Sequence, residues 1–153
     1  MPGKKGKKIT FIVLFVLALD RLTKILVSSI LSLNQSAAVI KGIFHITLVH
    51  NKGAAFGILK NQLLLLITTS LIAIFLIFKD FKKNKRDRTY NISLSLILGG
   101  ALGNLIDRVV FGYVIDFLDF RVWPVFNVAD SAITIGVIMM GYSILFSRNK
   151  SMC

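Results

Sequence analysis

With 153 residues, 55% of them hydrophobic and 17% charged, the chain carries more apolar surface than one small domain can bury. This excludes an ordinary water-soluble globule and calls for a lipid surround. The net charge of +12 does not point to nucleic acid, because the basic residues cluster at the ends of hydrophobic runs, as membrane flanks do.

In chain order, the amino end reads MPGKKGKK and then ITFIVLFVLAL, which imitates a secretory signal. Asp20, Arg21 and Lys24 interrupt the run and no A-x-A-like site follows, so it reads as a retained first transmembrane helix over residues 9–31. Asp20 and Lys24 are four apart and can pair on one helical face, a supporting structural role. Residues 34–61 form the first outer loop and are not plain linker. Within them Val39–Val49 is rich in β-branched and aromatic residues, which predicts a short sheet lying on the membrane, followed by a turn-like NKGAAFG at 51–57. Three further spans are expected over 62–78, 92–114 and 128–146, each near the roughly 20 residues a crossing needs. Both prolines, Pro2 and Pro124, fall outside these helices. Cys153 is the single cysteine and the last residue; it allows no internal disulfide and fits no metal-site spacing.

Lysine and arginine distribution sets the expected orientation. Twelve lie at the amino end, at the carboxyl end and in the loop between the second and third spans. Four (Lys41, Lys52, Lys60 and Arg121) lie in the opposite loops. Both termini are therefore expected in the cytoplasm.

All seven acidic residues are Asp, and four of them, Asp107, Asp116, Asp119 and Asp130, fall between Gly99 and Gly136. Ionised carboxylates in such apolar sequence are costly, and the default reading is a functional site. Asp107 is 15 residues beyond Ile92, roughly 22 Å along the third span, so Asp116 reaches the outer membrane edge. Asp130 starts the returning span within about a turn of the same edge. Two carboxylates at one depth cannot both ionise easily. One keeps a proton as an acid while the other acts as base on a water, which suffices for metal-free hydrolysis of a peptide bond. His45 and His50 have no HExxH spacing, and no G-x-S-x-G occurs. Spacing alone leaves open that the two acids are interfacial helix caps.

Among the neighbours, Asp119 is expected to be solvated beyond the span. Asp107 and Arg108 are adjacent and so face different partners. Asn104 shares their face, and Asn127, three before Asp130, can orient that carboxylate. Gly99, Gly100 and Gly103 suit close helix packing. Two other functions fit parts of the pattern: a magnesium-dependent lipid phosphotransferase with Asp107, Asp116 and Asp119 as ligands, and a proton-coupled carrier, which no inverted repeat supports.

Five blocks in order, DRLTK at 20–24, NKGAAFG at 51–57, GGALGNLIDR at 99–108, VIDF at 114–117 and FNVADSAITIG at 126–136, resemble those of the lipoprotein signal peptidases, or signal peptidase II. The resemblance covers most of the chain. It implies an all-α membrane protein, a bundle of four transmembrane helices with a small extracytoplasmic β-sheet cradle, acting as one peptidase domain in the bacterial inner membrane. It implies an aspartic endopeptidase that removes signal peptides from diacylglyceryl-modified prolipoproteins just before the lipidated Cys, as a monomer, with no metal or other cofactor. The implied catalytic pair is Asp116 and Asp130. The implied supporting and substrate-binding residues are Asp20, Lys24, Asn51, Gly53, Asn104, Asp107, Arg108, Asn127 and Ala129.

Overall fold

The computed structural model describes residues 4–53, 61–82 and 88–147. Four helices, α1 (Lys4–Ile30), α2 (Leu63–Phe81), α3 (Arg88–Phe111) and α4 (Val128–Ser147), pack around α3, which touches the other three. Along α1 the buried positions are Val13, Val16, Asp20 and Lys24, a stripe at helical spacing. The opposite face exposes Phe11, Phe15, Leu22 and Leu26. The bundle is thus oily outside and partly charged inside, the reverse of a protein folded in water. Helices α2, α3 and α4 are long and apolar enough to cross a membrane.

Small residues let the helices close on one another. A Cβ on Gly100 would collide with the Ala129 carbonyl oxygen, and one on Gly136 would sit 2.8 Å from the Ser93 oxygen. Because the Gly100 obstacle is backbone, we expect Gly100→Ala to destabilise the fold by about 1–3 kcal/mol, read as a lower melting temperature in detergent.

Three strands, β1 (Ser36–Ile40), β2 (Phe44–Asn51) and β3 (Val114–Asp119), form an antiparallel sheet in the order β1-β2-β3. The first two lie in the 34–61 loop and overlap the expected Val39–Val49 stretch, β1 starting three residues before it and β2 ending two residues after it. The third corrects the expected span boundary. Helix α3 covers 88–111, not 92–114. Gly112 takes φ +78° and its N–H donates to the Arg108 oxygen at 3.1 Å, a left-handed helix cap. The chain then re-enters as β3, pairing Val114 with Asn51 and Asp116 with Val49. Asp116 therefore sits on a strand, not at a helix end. The other boundaries also move: α1 begins at Lys4 and α2 runs on to Phe81. Residues 54–57 of the NKGAAFG block lie outside the described residues.

Candidate active site

The site lies where the ends of α3 and β2, the strand β3 and the start of α4 meet. Asp116, 1% exposed, is held on both carboxylate oxygens by amides. Asn51 Nδ2 donates to Oδ2 at 2.8 Å and Asn127 Nδ2 donates to Oδ1 at 2.7 Å. Asn51 is itself fixed by the Gly53 N–H, which donates to its Oδ1 at 2.9 Å. Asp130 lies in the first turn of α4. Asn104 Nδ2 donates to its Oδ1 at 2.7 Å. The Asp130 N–H donates to Asn127 Oδ1 at 2.9 Å, and the Asn127 N–H reaches Asp130 Oδ2 at 3.4 Å. This is the reciprocal arrangement of a capping box. The helix-cap reading and the acid-pair reading are therefore not exclusive: Asp130 caps α4 through one oxygen and faces Asn104 with the other.

Asn127 is the hub. Fully buried, it donates to Asp116, to Asn104 Oδ1 at 3.1 Å and to the Ile115 carbonyl at 3.3 Å while bonding Asp130. The two carboxylates line one cavity of about 620 Å³, together with Asn51, Asn104 and Arg108. Its remaining wall is largely apolar, built by Trp123, Pro124, Val125 and Phe126 on one side and Ile133 and Ile135 of α4 on the other. Burial is the main force on Asp116: it disfavours the ionised form, and the neighbouring Asp130 charge adds to it. The Asn51 and Asn127 hydrogen bonds oppose both, and the carboxyl is pushed up to about 7.

Beneath the pair lies a buried ion cluster. Lys24 Nζ is 2.8 Å from Asp20 and 2.7 Å from Asp107, and donates to Asn104 Oδ1 at 3.2 Å. Arg21 takes the other Asp107 oxygen at 2.8 Å. Asp107 Oδ2 also accepts from the Ile115 N–H, and Asp20 accepts from the Ala129 N–H at 3.0 Å. The cluster thereby ties α1 to the residue preceding Asp116 and to the residue preceding Asp130. Gly103 keeps this space open, since a Cβ there would lie 2.8 Å from an Asp20 oxygen.

Every residue expected at the site thus sits at the acid pair, on its cavity wall or in the cluster below. Asp119 is the exception to its own expectation. It is 5% exposed rather than solvated, accepting from Thr47 Oγ1 at 2.7 Å and from the Arg121 N–H at 2.9 Å. Asp107 is neutralised by two cations and Asp119 is bound into the sheet. The three acids a magnesium site would need therefore do not converge, and among the described residues no group of three acids, histidines or cysteines gathers as a metal site. Sequence reasoning missed the aromatic wall. Its signal was present, because FRVWPVF at 120–126 packs three aromatic residues, Phe120, Trp123 and Phe126, into a short loop beside the two acids.

Comparison with known proteins shows the family to which the chain is similar. A family model described as signal peptidase (SPase) II matches residues 12–146. A lipoprotein signal peptidase of Halothermothrix orenii is 46% identical over 84% of this chain and 89% of its own. One of Moorella thermoacetica is 47% identical over 90% and 92%, and one of Francisella tularensis subsp. novicida 44% over 94% and 95%. A bacterial membrane enzyme solved by the in meso method at 2.3 Å superimposes with a TM-score of 0.86 at 34% identity, over 91% of this chain and 88% of that one.

Proposed function

The chain belongs to the signal peptidase II family of proteases, and from that premise we propose that Asp116 and Asp130 hydrolyse the peptide bond just before the lipid-modified Cys of a prolipoprotein. The observation that carries this reading is the pairing itself: two carboxylates on one cavity, each gripped by amide donors. Burial and the Asp130 charge together favour the proton on Asp116, so in this reading Asp116 is the acid and Asp130 the base. Asp130 takes a proton from a water as its oxygen attacks the scissile carbonyl carbon, and Asp116 protonates the carbonyl oxygen. The proton on Asp130 then passes to the leaving nitrogen as the C–N bond breaks, and Asp116 recovers its own proton from the collapsing diol. Arg108, on the cavity wall, holds a peptide carbonyl, and the apolar wall takes the diacylglyceryl chains.

In this reading α1 also crosses the bilayer. Its exposed apolar face meets lipid while Asp20, Arg21 and Lys24 face the bundle, giving four spans. Both termini are cytoplasmic, the cavity opens near the extracytoplasmic face of the bacterial inner membrane, and one chain suffices. Incubating the purified protein with lipidated and unlipidated precursors tests the reading: cleavage of the lipidated form alone is expected, and equal cleavage of both would reject it.

The pH profile follows from Asp116. Its carboxyl holds the proton until about pH 7. Above that the pair has lost its acid, so the rate constant at saturating substrate should fall about tenfold per pH unit. A rate still level two units above neutrality would contradict the assignment. A chelator should leave the rate unchanged.

A further inference from the structure

A second cavity, of about 660 Å³, lies on the other side of the β2–β3 ribbon from the acid pair. Side chains alternate across a strand. Asn51 and Val114 face the acid cavity, while their neighbours His50, Lys52 and Tyr113 face this one. Its lining divides by chemistry. Leu33, three residues past α1, Leu63 at the start of α2 and Phe111 at the end of α3 give it an apolar side. Asn34, Asn61 and the exposed Lys52, all in connecting segments, give it a polar side. The His50 ring stacks on Tyr113 at 3.9 Å between centroids, and Tyr113 on Phe111 at 6.0 Å, so three stacked rings line the cavity. Such rings settle at the membrane–water interface. Charge here is one-sided: among the described residues no carboxylate lines the cavity, and after burial it is the Lys52 ammonium that opposes charging of His50.

We propose that this cavity binds the anionic phosphodiester headgroup of a membrane glycerophospholipid, with Lys52 on the phosphate, the two asparagine amides on its oxygens and the acyl chains leaving past Leu33, Leu63 and Phe111. A soluble anion would need the polar side but not the apolar one, and a neutral lipid the apolar side but not the lysine. The bound lipid would brace the end of β2 that carries Asn51, and so act on Asp116 from behind. The proposal rests on the reading that the sheet end of the bundle lies at the membrane surface, but not on the catalytic assignment.

The test is native mass spectrometry of the full-length protein in detergent, titrated with dioleoylphosphatidylglycerol. One lipid per chain should be retained. Lys52→Gln should weaken retention roughly fivefold, the share one lysine contributes at a charged headgroup, whereas Lys41→Gln, on the β1–β2 turn, should not. Dioleoylglycerol should bind at least as weakly as the lipid binds Lys52→Gln, and inorganic phosphate should not displace the lipid. Unchanged retention by Lys52→Gln, equal binding of dioleoylglycerol or displacement by phosphate would each overturn the proposal. Cleavage of lipidated precursor by the same wild-type sample reports separately on the protease reading.

Discussion

Asp116→Asn and Asp130→Asn are each expected to lower turnover of lipidated precursor by roughly a thousandfold or more while leaving a folded protein. An amide can neither hold the shared proton nor accept one from water, and loss of an acid or base alone removes about 10²–10⁴-fold. When two groups act as one unit, the double variant should be little worse than either single variant. The fold should survive because both substitutions are isosteric. For Asp116 the stability balance also depends on pH. Its carboxyl ionises near pH 3.8 in the unfolded chain and near 7 in the fold, so between these values the unfolded state sheds its proton first. Wild-type stability therefore falls as pH rises through that window, by on the order of 4 kcal/mol. An amide side chain has no such dependence. Against this, one N–H of the introduced amide would face the amide donor of Asn51 or Asn127, a mismatch of about 1–3 kcal/mol. The melting temperature of Asp116→Asn, measured relative to wild type in detergent, should accordingly improve between pH 4 and pH 8. A variant that unfolds at every pH, or one with a tenth of wild-type turnover, would contradict this account.

The second large effect is expected at Lys24, which is fully buried between Asp20 and Asp107. Lys24→Met keeps the length of the side chain and deletes its charge, leaving two buried carboxylates with Arg21 alone to serve them. Breaking one partner out of a buried ion cluster destabilises by about 3–5 kcal/mol, or on the order of 10 °C in melting temperature for a chain of this size. The damage should extend to catalysis. Lys24 also donates to Asn104, which holds Asp130, and its partner Asp107 holds the Ile115 N–H beside Asp116. Activity at a temperature where the variant is still folded should thus drop, whereas a purely structural lysine would leave it unchanged. A melting temperature within about 2 °C of wild type would show that the cluster does not hold the bundle together.

The helices were legible because a lipid-facing helix needs only length and apolar composition, and α4 begins and ends within a residue of its expected limits. The end of α3 was not. Phe111, Gly112 and Tyr113 are apolar enough to extend the hydrophobic run, and hydropathy does not register that Gly112 turns left-handed and releases the chain into β3. The strand exists because β2 is there to pair with it, more than sixty residues earlier in sequence. For the same reason the local spacing of Asn127 and Asp130 could be read directly, since three residues bring them into one helical cap. Likewise Asp20 and Lys24 pair as their four-residue separation suggests. The grip of Asn51 on Asp116 and of Asp20 on the Ala129 N–H could not be derived from spacing. Asp119 misled because a carboxylate beyond a span is normally solvated, and only the register of His45 against Asp119 brings Thr47 within reach of it.

In the proposed mechanism Asp116 and Asp130 act together on one reacting carbonyl. Its most direct test is a crystal structure with a lipidated peptide in which a secondary alcohol replaces the scissile amide, imitating the tetrahedral intermediate. Both carboxylates should lie within hydrogen-bonding distance of that hydroxyl, about 2.5–3.0 Å, with Asn127 still bonded to each of them. A hydroxyl that contacts only one of the two acids, or neither, would contradict the account.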